Sequence, residues 1–258
     1  MQQKENNDRR LIQSIQRAGD ILSLFIEEKS ILGISDFAQK LSLPKTTIQG
    51  IVNTLAELHY LEQDPLTSKY RLGARLFQLG MSYATNMDML TITRVWLERL
   101  CFQFREPVNI GMLVGKRVII LLRAEPETRF TSFPQAGSVI PAHTTCIGKL
   151  LFAFMTEERR NEVLAGYNFE ALTPNSITDR ETFLKELEQV RKEGISYDRE
   201  ENFAGMAGIG GPIYNHRGQV IAAFAVTGDA GHLREEHDAI VNEVRATSRE
   251  ISNQFGLK

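Results

Sequence analysis

Residues 34–55 read ISDFAQKLSLPKTTIQGIVNTL, and this stretch decides the fold of the N-terminal part of the chain. A short helix is predicted with Ser35 as its N-cap, and Ser42-Leu43 makes a break after it. Pro44 suits the first turn of the next helix, where the missing N–H of proline is not needed. The small residue Ala38 lies where the two helices would cross. Two short helices with a tight turn between them are typical of a helix-turn-helix.

The segments on either side complete a small domain. Apolar residues recur at helical spacing over residues 11–28, which predicts a first amphipathic helix. Two short strands are predicted at residues 60–63 and 69–72, joined by a turn rich in Asp, Pro, Thr and Ser. Three helices and a hairpin predict a winged helix-turn-helix over residues 11–73. Residues 74–87 are expected to form a linker helix.

The solvent side of the third helix carries residue types that suit DNA. Lysine and hydroxyl groups bind phosphates, and side-chain amides pair with adenine edges in the major groove. The candidate residues for contacts in the major groove are Lys45, Thr46, Thr47, Gln49 and Asn53. Arg17 on the first helix, and Lys69 and Arg71 on the wing, are candidates for phosphate contacts.

The overall charge excludes DNA binding by charge alone. The chain of 258 residues has 30 Lys+Arg and 32 Asp+Glu, which gives a formal net charge of −2. Residues 37–56, however, contain two lysines and no acid. The chain therefore has no excess of positive charge overall, but acidic residues are absent from the segment that would face DNA. This pattern favours site-specific binding to double-stranded DNA.

Composition also excludes several classes of protein. With 19 Gly, 8 Pro and 2 Cys, the chain is neither collagen-like nor a disulfide scaffold. Its apolar runs are too short to cross a bilayer, and no signal-peptide pattern opens it. Few cysteines fit a reducing compartment. We therefore expect a cytoplasmic protein without a membrane partner.

Residues 88–258 predict a second domain of the α+β class. After a helix over residues 89–104, two strands at 108–114 and 117–123 form a hairpin at Gly115-Lys116. A third strand is predicted at 130–133. The remaining predicted elements are helices at 144–154, 157–164, 180–193 and 235–255 and strands at 208–214 and 220–227. Their order predicts a largely antiparallel sheet with helices against it.

Several of these motifs, in this order, resemble the IclR family of bacterial transcription regulators. The similar segments are SIQRA at 14–18, the stretch 34–55, YRLG at 70–73, PAHTTCIGK at 141–149, GISYDREE at 194–201, GPI at 211–213 and residues 222–228. The resemblance implies a winged helix-turn-helix joined to a GAF-like effector domain. It also implies a homodimer or tetramer that senses a small organic or aromatic acid.

The resemblance also implies where such an effector would bind. The pocket-lining positions are Cys146, Ile147, Asp198, Gly208, Ala225 and Thr227, with Ile140 and Met206 as an apolar roof. Some relatives carry cysteine or serine at the positions of Gly208 and Ala225, so a roomier pocket and a larger ligand are expected here.

The residue types themselves agree with an acidic ligand. Amides at the start of a helix near Gly148 favour an anion. Thr144, Thr145 and Thr227 carry hydroxyl donors, and either Arg129 or Arg123 is a candidate for a bidentate pair with a carboxylate.

Enzymatic chemistry is the competing interpretation. Cys146 follows His143 by three residues and suggests a nucleophile and base. Asp198, Glu200 and Glu201 are candidate acid–base carboxylates. The glycines at 205–211 do not match a dinucleotide-binding motif, and the histidines show no metal-ligand spacing. We therefore expect neither an enzyme nor a cofactor, while a ligand-binding or enzymatic domain with an N-terminal dimerisation module stays the alternative.

Overall fold

The computed structural model describes residues 11–28, 31–85, 88–126 and 134–256. The chain divides into two compact units, Met1–Met87 and Asp88–Lys258. Within the described residues, no helix combines the length and the apolar character needed to cross a membrane.

The first unit is a winged helix-turn-helix. Its elements are α1 Gln13–Glu28, α2 Ile34–Leu41, α3 Lys45–Glu57, β1 Leu61–Gln63, β2 Tyr70–Leu72 and α4 Ala74–Thr85. The strands β1 and β2 pair antiparallel and form the wing. Phe37 of α2 is fully buried, and its ring meets that of Phe25 of α1 edge-on at 5.7 Å. Ile48 and Val52 of α3 are fully buried in the same cluster, so α3 turns its other face outward.

The turn between α2 and α3 is fixed by backbone hydrogen bonds. Ser42 takes a left-handed conformation with φ of 53°, and the N–H of Leu43 donates to the carbonyl of Ala38. The prediction of Ser35 as the N-cap is wrong, because α2 begins two residues earlier than that cap requires. Gly33 is the N-cap, and its N–H donates to Oδ2 of Asp36 at 2.8 Å.

The second unit is an antiparallel six-stranded sheet with helices on both faces. Its helices are α5 Asp88–Phe104, α6 Cys146–Ala153, α7 Glu157–Leu164, α8 Arg180–Glu193, α9 Ala230–Glu235 and α10 His237–Gln254. Its strands are β3 Val108–Val114, β4 Arg117–Ala124, β5 Val139–Pro141, β6 Ser196–Arg199, β7 Met206–Tyr214 and β8 Val220–Asp229, in the order β5-β4-β3-β8-β7-β6. A 3-10 turn, Ala142–Thr144, precedes α6. The predicted fold class is confirmed.

The alternation of side chains along β8 separates two hydrophobic cores. Phe224 and Val226 join the cluster that contains α5 and α10. Ala223 and Ala225 join the cluster that contains α6 and α8. Alanine on that face leaves room for α6 to lie close to the sheet.

The sequence predictions for this unit agree with the structure only in part. The strand predicted at 130–133 lies outside the described residues and stays a prediction. The predicted helix at 235–255 corresponds to α10, and a separate short helix, α9, precedes it, because Asp229 caps α9 by accepting from the N–H of His232. Strand β6 was not predicted, since SYDR has neither an apolar run nor a clear alternation.

The packing of α6 requires glycine at position 148. A Cβ atom at this position would lie 2.0 Å from the carbonyl oxygen of Ala142, which is backbone and does not move aside. We predict that Gly148→Ala lowers the free energy of unfolding by about 3 kcal/mol, at the upper end of the cost of over-packing. Urea titration followed by the fluorescence of Trp96, the single tryptophan, measures it.

The control for this variant is Gly19→Ala in α1, where no atom lies within 4 Å of the added Cβ. It should leave the Trp96 transition unchanged. Equal transitions for Gly148→Ala and the wild-type protein would contradict the packing argument.

Candidate functional site

The exposed face of α3 presents the predicted DNA-contacting residues. Lys45, Gln49 and Asn53 are exposed and follow one another at intervals of four residues, so they form one stripe. Nε2 of Gln49 donates to Oδ1 of Asn53 at 2.7 Å, which holds the two amides side by side. Thr46 is exposed and Thr47 is half-buried beside this stripe.

The basic residues around this face differ in exposure and in pairing. Lys69 is exposed on the wing and Arg17 is half-buried on α1. Arg71 pairs across the wing with Glu62, at 3.0 Å between Nη2 and Oε2. The charge of Arg71 is therefore partly compensated before any phosphate is present, although such an exposed pair is weak.

A cavity of about 450 Å³ lies in the second unit, between the sheet and the start of α6. This volume falls in the usual range of small-molecule sites. The lining is largely apolar, with a few polar groups: Asn109, Ile120, Pro134, Ile140, Thr145, Cys146, Ile147, Asp198, Asn202, Phe203, Ala204, Met206, Ala207, Ala225 and Thr227.

Most of the predicted effector positions meet at this cavity. Those that line it are Ile140, Cys146, Ile147, Asp198, Met206, Ala225 and Thr227. Arg129 lies outside the described residues. Arg123 does not line the cavity, although its guanidinium lies directly behind a lining residue.

Gly208 stands beside the cavity and does not enlarge it. A Cβ atom at this position would lie 2.9 Å from Sγ of Cys146 and 3.3 Å from Cγ2 of Thr227. The space that the glycine leaves is therefore filled by the thiol of Cys146. The expectation of extra room at Gly208 is wrong for this reason.

The start of α6 faces the cavity with free backbone donors. Oγ1 of Thr145 caps the helix by accepting from the N–H of Gly148 at 3.1 Å. Among the described residues, the N–H groups of Cys146 and Ile147 have no hydrogen-bond partner. These two amides, together with the helix dipole, favour a negatively charged group in the cavity.

The predicted threonine donors are mostly engaged by the protein itself. Oγ1 of Thr144 donates to the carbonyl of Pro141 and to Oδ1 of Asn202, each at 3.2 Å. Oγ1 of Thr145 donates to the carbonyl of Ala142 at 3.3 Å, besides accepting at the N-cap of α6. Thr227 is the exception, because it faces the cavity from β8 and its contact with the carbonyl of Pro107 is long, at 3.5 Å.

Asn109 is a lining residue that the sequence analysis missed. It lies near the start of β3, fully buried, where a polar side chain is unusual and needs partners. Its Nδ2 donates to Oγ1 of Thr227 at 2.9 Å, and its Oδ1 accepts from Nη1 of Arg123 at 3.2 Å. A buried amide inside a predicted strand was the signal that could have identified it.

Asp198 of β6 brings a carboxyl group to the cavity close to Cys146. Its Oδ1 accepts from the N–H of Glu201 at 2.7 Å. Burial raises the pKa of Asp198 to about 7, against the lowering effect of that hydrogen bond. The group is therefore close to half-protonated at neutral pH.

The pair of Cys146 and His143 does not form a nucleophile and base. Both ring nitrogens of His143 face other partners, the hydroxyl of Tyr167 at 3.1 Å and the carbonyl of Glu170 at 3.0 Å. Burial raises the pKa of the Cys146 thiol and lowers that of His143. The described residues contain no cluster of three or more His, Cys, Asp or Glu side chains able to hold a metal ion.

A winged helix-turn-helix with a polar outward face, together with a ligand-sized cavity in a second unit, defines a ligand-responsive DNA-binding regulator. Comparison with known families agrees. The IclR helix-turn-helix domain matches residues 14–65, and the C-terminal domain of bacterial IclR transcriptional regulators matches residues 81–253. The chain belongs to the IclR family of bacterial transcription regulators.

Individual relatives extend this result. The chain is 32% identical over 217 residues to the transcriptional regulator XynR of Escherichia coli K12, covering 84% of this chain and 86% of that protein. It is 29% identical over 247 residues to the repressor AllR of the same strain, covering 95% and 91%. An IclR homolog from Microbacterium hydrocarbonoxydans, crystallised with 4-hydroxybenzoate, has the same fold, with a TM-score of 0.80, 23% identity and coverage of 94% and 98%.

The raised pKa of Asp198 makes stability depend on pH. Between about pH 4 and pH 7 the folded protein keeps a proton on this carboxyl that the unfolded chain has released, so stability falls as pH rises through this window. Asp198→Asn cannot titrate. We predict that the free energy of unfolding of this variant, relative to that of the wild-type protein, rises by about 2 kcal/mol from pH 5 to pH 8.

Urea titrations at both pH values, followed by the fluorescence of Trp96, measure this difference. Asp179→Asn is the matched control, because a hydrogen bond from the N–H of Thr182 lowers the pKa of Asp179. Asp179 is therefore ionised in both the folded and the unfolded chain at pH 5 and pH 8, and the relative stability of Asp179→Asn should not change between them. A pH-independent difference for Asp198→Asn would contradict the assignment.

Proposed function

We propose that this regulator binds its operator through α3 and releases or recruits it in response to a small organic acid bound in the cavity of the second unit. The observation that carries the proposal is the stripe of Lys45, Gln49 and Asn53. These side chains point away from the core and include two amides already held together. Thr46 and Thr47 complete the surface that would enter the major groove.

Phosphate contacts beyond that of Lys45 are assigned to the residues that flank this surface. Lys69 and Arg71 would approach the backbone from the wing and Arg17 from α1. Because Arg71 is paired with Glu62, it would contribute less than Lys69.

A homodimer or tetramer is part of the proposal. One small winged helix makes few base contacts, while two of them read two half-sites. Large apolar side chains are exposed in both units: Phe77 of α4 is 72% exposed and Phe102 of α5 is 88% exposed. Such exposure supports self-association.

The ligand is proposed to be an organic acid, with an aromatic acid favoured by the size of the cavity. Its carboxylate would bind the free amides of Cys146 and Ile147 and the hydroxyl of Thr227. Ile140 and Met206 offer apolar surface to the rest of the molecule, and Asp198 offers a partner for a ligand hydroxyl. The 4-hydroxybenzoate bound to the Microbacterium homolog has both groups, which supports this class.

Ligand binding would shift the population between arrangements of the two units through the linker at residues 74–87, and so change operator affinity. The thiol of Cys146 is buried with a raised pKa, and His143 is engaged by Tyr167 and Glu170, which supports a binding role without catalysis. The protein would act in the cytoplasm, where the DNA is.

Substituting single side chains on α3 should weaken operator binding. With a duplex from the region upstream of the chain's own gene, we predict that Gln49→Ala weakens binding about 5- to 150-fold, the usual cost of one base interaction. Lys45→Ala should reduce the slope of log K against log salt by about 1, because one phosphate is no longer neutralised. Gel-shift titrations from low to physiological salt measure both.

Lys185→Ala is the control, because it removes the same charge from an exposed position on α8. It should bind as the wild-type protein does. If Lys45→Ala and Thr47→Ala bind as tightly as the wild-type protein, α3 does not read the operator. No sequence-selective binding at any salt would instead favour a dimerisation role.

A small acid should stabilise the second unit. At a concentration of 100 times its Kd, a ligand adds about 2.7 kcal/mol, which raises the Tm by roughly 5 to 11 °C. We predict such a shift with at least one of benzoate, 4-hydroxybenzoate, pyruvate and glyoxylate. Ala225→Leu fills the cavity and should abolish the shift. No shift across all four acids would contradict the acid-sensing function.

A further inference from the structure

We infer that Arg123 and Asn109 are positioning residues for Thr227. They make the hydroxyl oxygen of Thr227 accept a hydrogen bond from Asn109, so that the hydroxyl proton is left to donate to an oxygen of the ligand. The inference rests on the proposed function of the cavity. It adds a reason why an acid is preferred to an alcohol or an amine of the same shape.

The sheet register brings the three side chains together. Asn109 of β3 lies directly opposite Arg123 of β4 and opposite Ala225 of β8, and Thr227 follows Ala225 by two residues on the same face. Asn109 and Thr227 line the cavity, while the guanidinium of Arg123 lies behind them with only 5% of its side chain exposed. The arrangement is thus built into three neighbouring strands.

Arginine decides which way the amide of Asn109 faces. A guanidinium can only donate hydrogen bonds, so the atom of Asn109 that lies 3.2 Å from Nη1 of Arg123 must be the oxygen. The nitrogen of the amide therefore faces Thr227. Nε of Arg123 donates to Oε1 of Glu125 at 2.6 Å, which compensates the buried charge and holds the guanidinium in place.

The amide of Asn109 in turn decides what Thr227 can offer. Oγ1 of Thr227 accepts from Nδ2 of Asn109 at 2.9 Å, so the hydroxyl proton must point elsewhere. Its partner inside the protein is the carbonyl of Pro107 at 3.5 Å, which is long for an O–H donor. A ligand oxygen at the usual 2.7–2.8 Å would replace that interaction, and a carboxylate oxygen would do so most strongly.

A magnetic-resonance experiment tests this polarity without any ligand. The full chain is labelled with [15N]-asparagine, and the side-chain NH2 of Asn109 is assigned by its loss in Asn109→Leu. We expect Thr227→Val to shift this resonance and to speed its exchange with water, because the acceptor is gone. Thr227→Ser keeps the hydroxyl and should restore the wild-type signal.

Arg123→Met should perturb the same resonance, and Arg123→Lys, which keeps a donor, should restore most of it. An Asn109 signal that does not respond to Thr227→Val, or that responds equally to Thr227→Ser, would overturn the inference. This result is independent of whether an effector has been found.

Ligand discrimination separates positioning from simple packing. The probes are the acid that stabilises the wild-type protein most and the alcohol of the same skeleton. We expect Arg123→Met to weaken binding of the acid at least 10-fold and binding of the alcohol less than 2-fold. An equal loss for both would mean that Arg123 only supports the fold. Failure of every acid to bind the wild-type protein would refute the proposed function, while the Asn109 resonance would still decide the polarity of Thr227.

Discussion

The second unit depends on how it neutralises one buried ammonium group. Lys149 of α6 is fully buried, and an unpaired charge in such a place is very costly. Its Nζ lies 2.5 Å from Oε1 of Glu201 and 2.8 Å from the carbonyl of Tyr197, with Glu186 at 3.4 Å. Helix α6 and the segment after β6 are therefore held together. Asp198 and Asn202 flank Glu201 along the chain, so the ion pair also fixes a wall of the cavity.

The same constraint brings two chemically different groups to the cavity. Lys149 holds α6 in place, and the free amides of Cys146 and Ile147 at the start of this helix attract negative charge. In the same cavity, Asp198 resists ionisation because it is buried. A ligand that carries both a carboxylate and a hydroxyl would satisfy both groups. This difference arises from the packing of α6 and β6 in the second unit.

Much of this organisation could be predicted from local sequence. Pro44 and the apolar spacing of α3 predicted the helix-turn-helix, because both are properties of a single helix and its first turn. The pocket positions came from the family resemblance, and most of them meet at one cavity. The partners of Asn109 and the filling of the space at Gly208 by Cys146 were not predictable in this way. The first depends on the register of strands that lie far apart in the chain and the second on how α6 packs against β7, and a local pattern contains neither.

If the cavity controls the affinity of α3 for DNA, an acid bound there must change the operator Kd. Fluorescence anisotropy of a labelled operator duplex, titrated with the protein in the absence and presence of the acid that stabilises it most, measures this change. We expect a change in operator Kd of at least 5-fold for the wild-type protein and none for Thr227→Val, which binds the operator normally without acid. An unchanged Kd for the wild-type protein, or the same change in Thr227→Val, would contradict this control by the cavity.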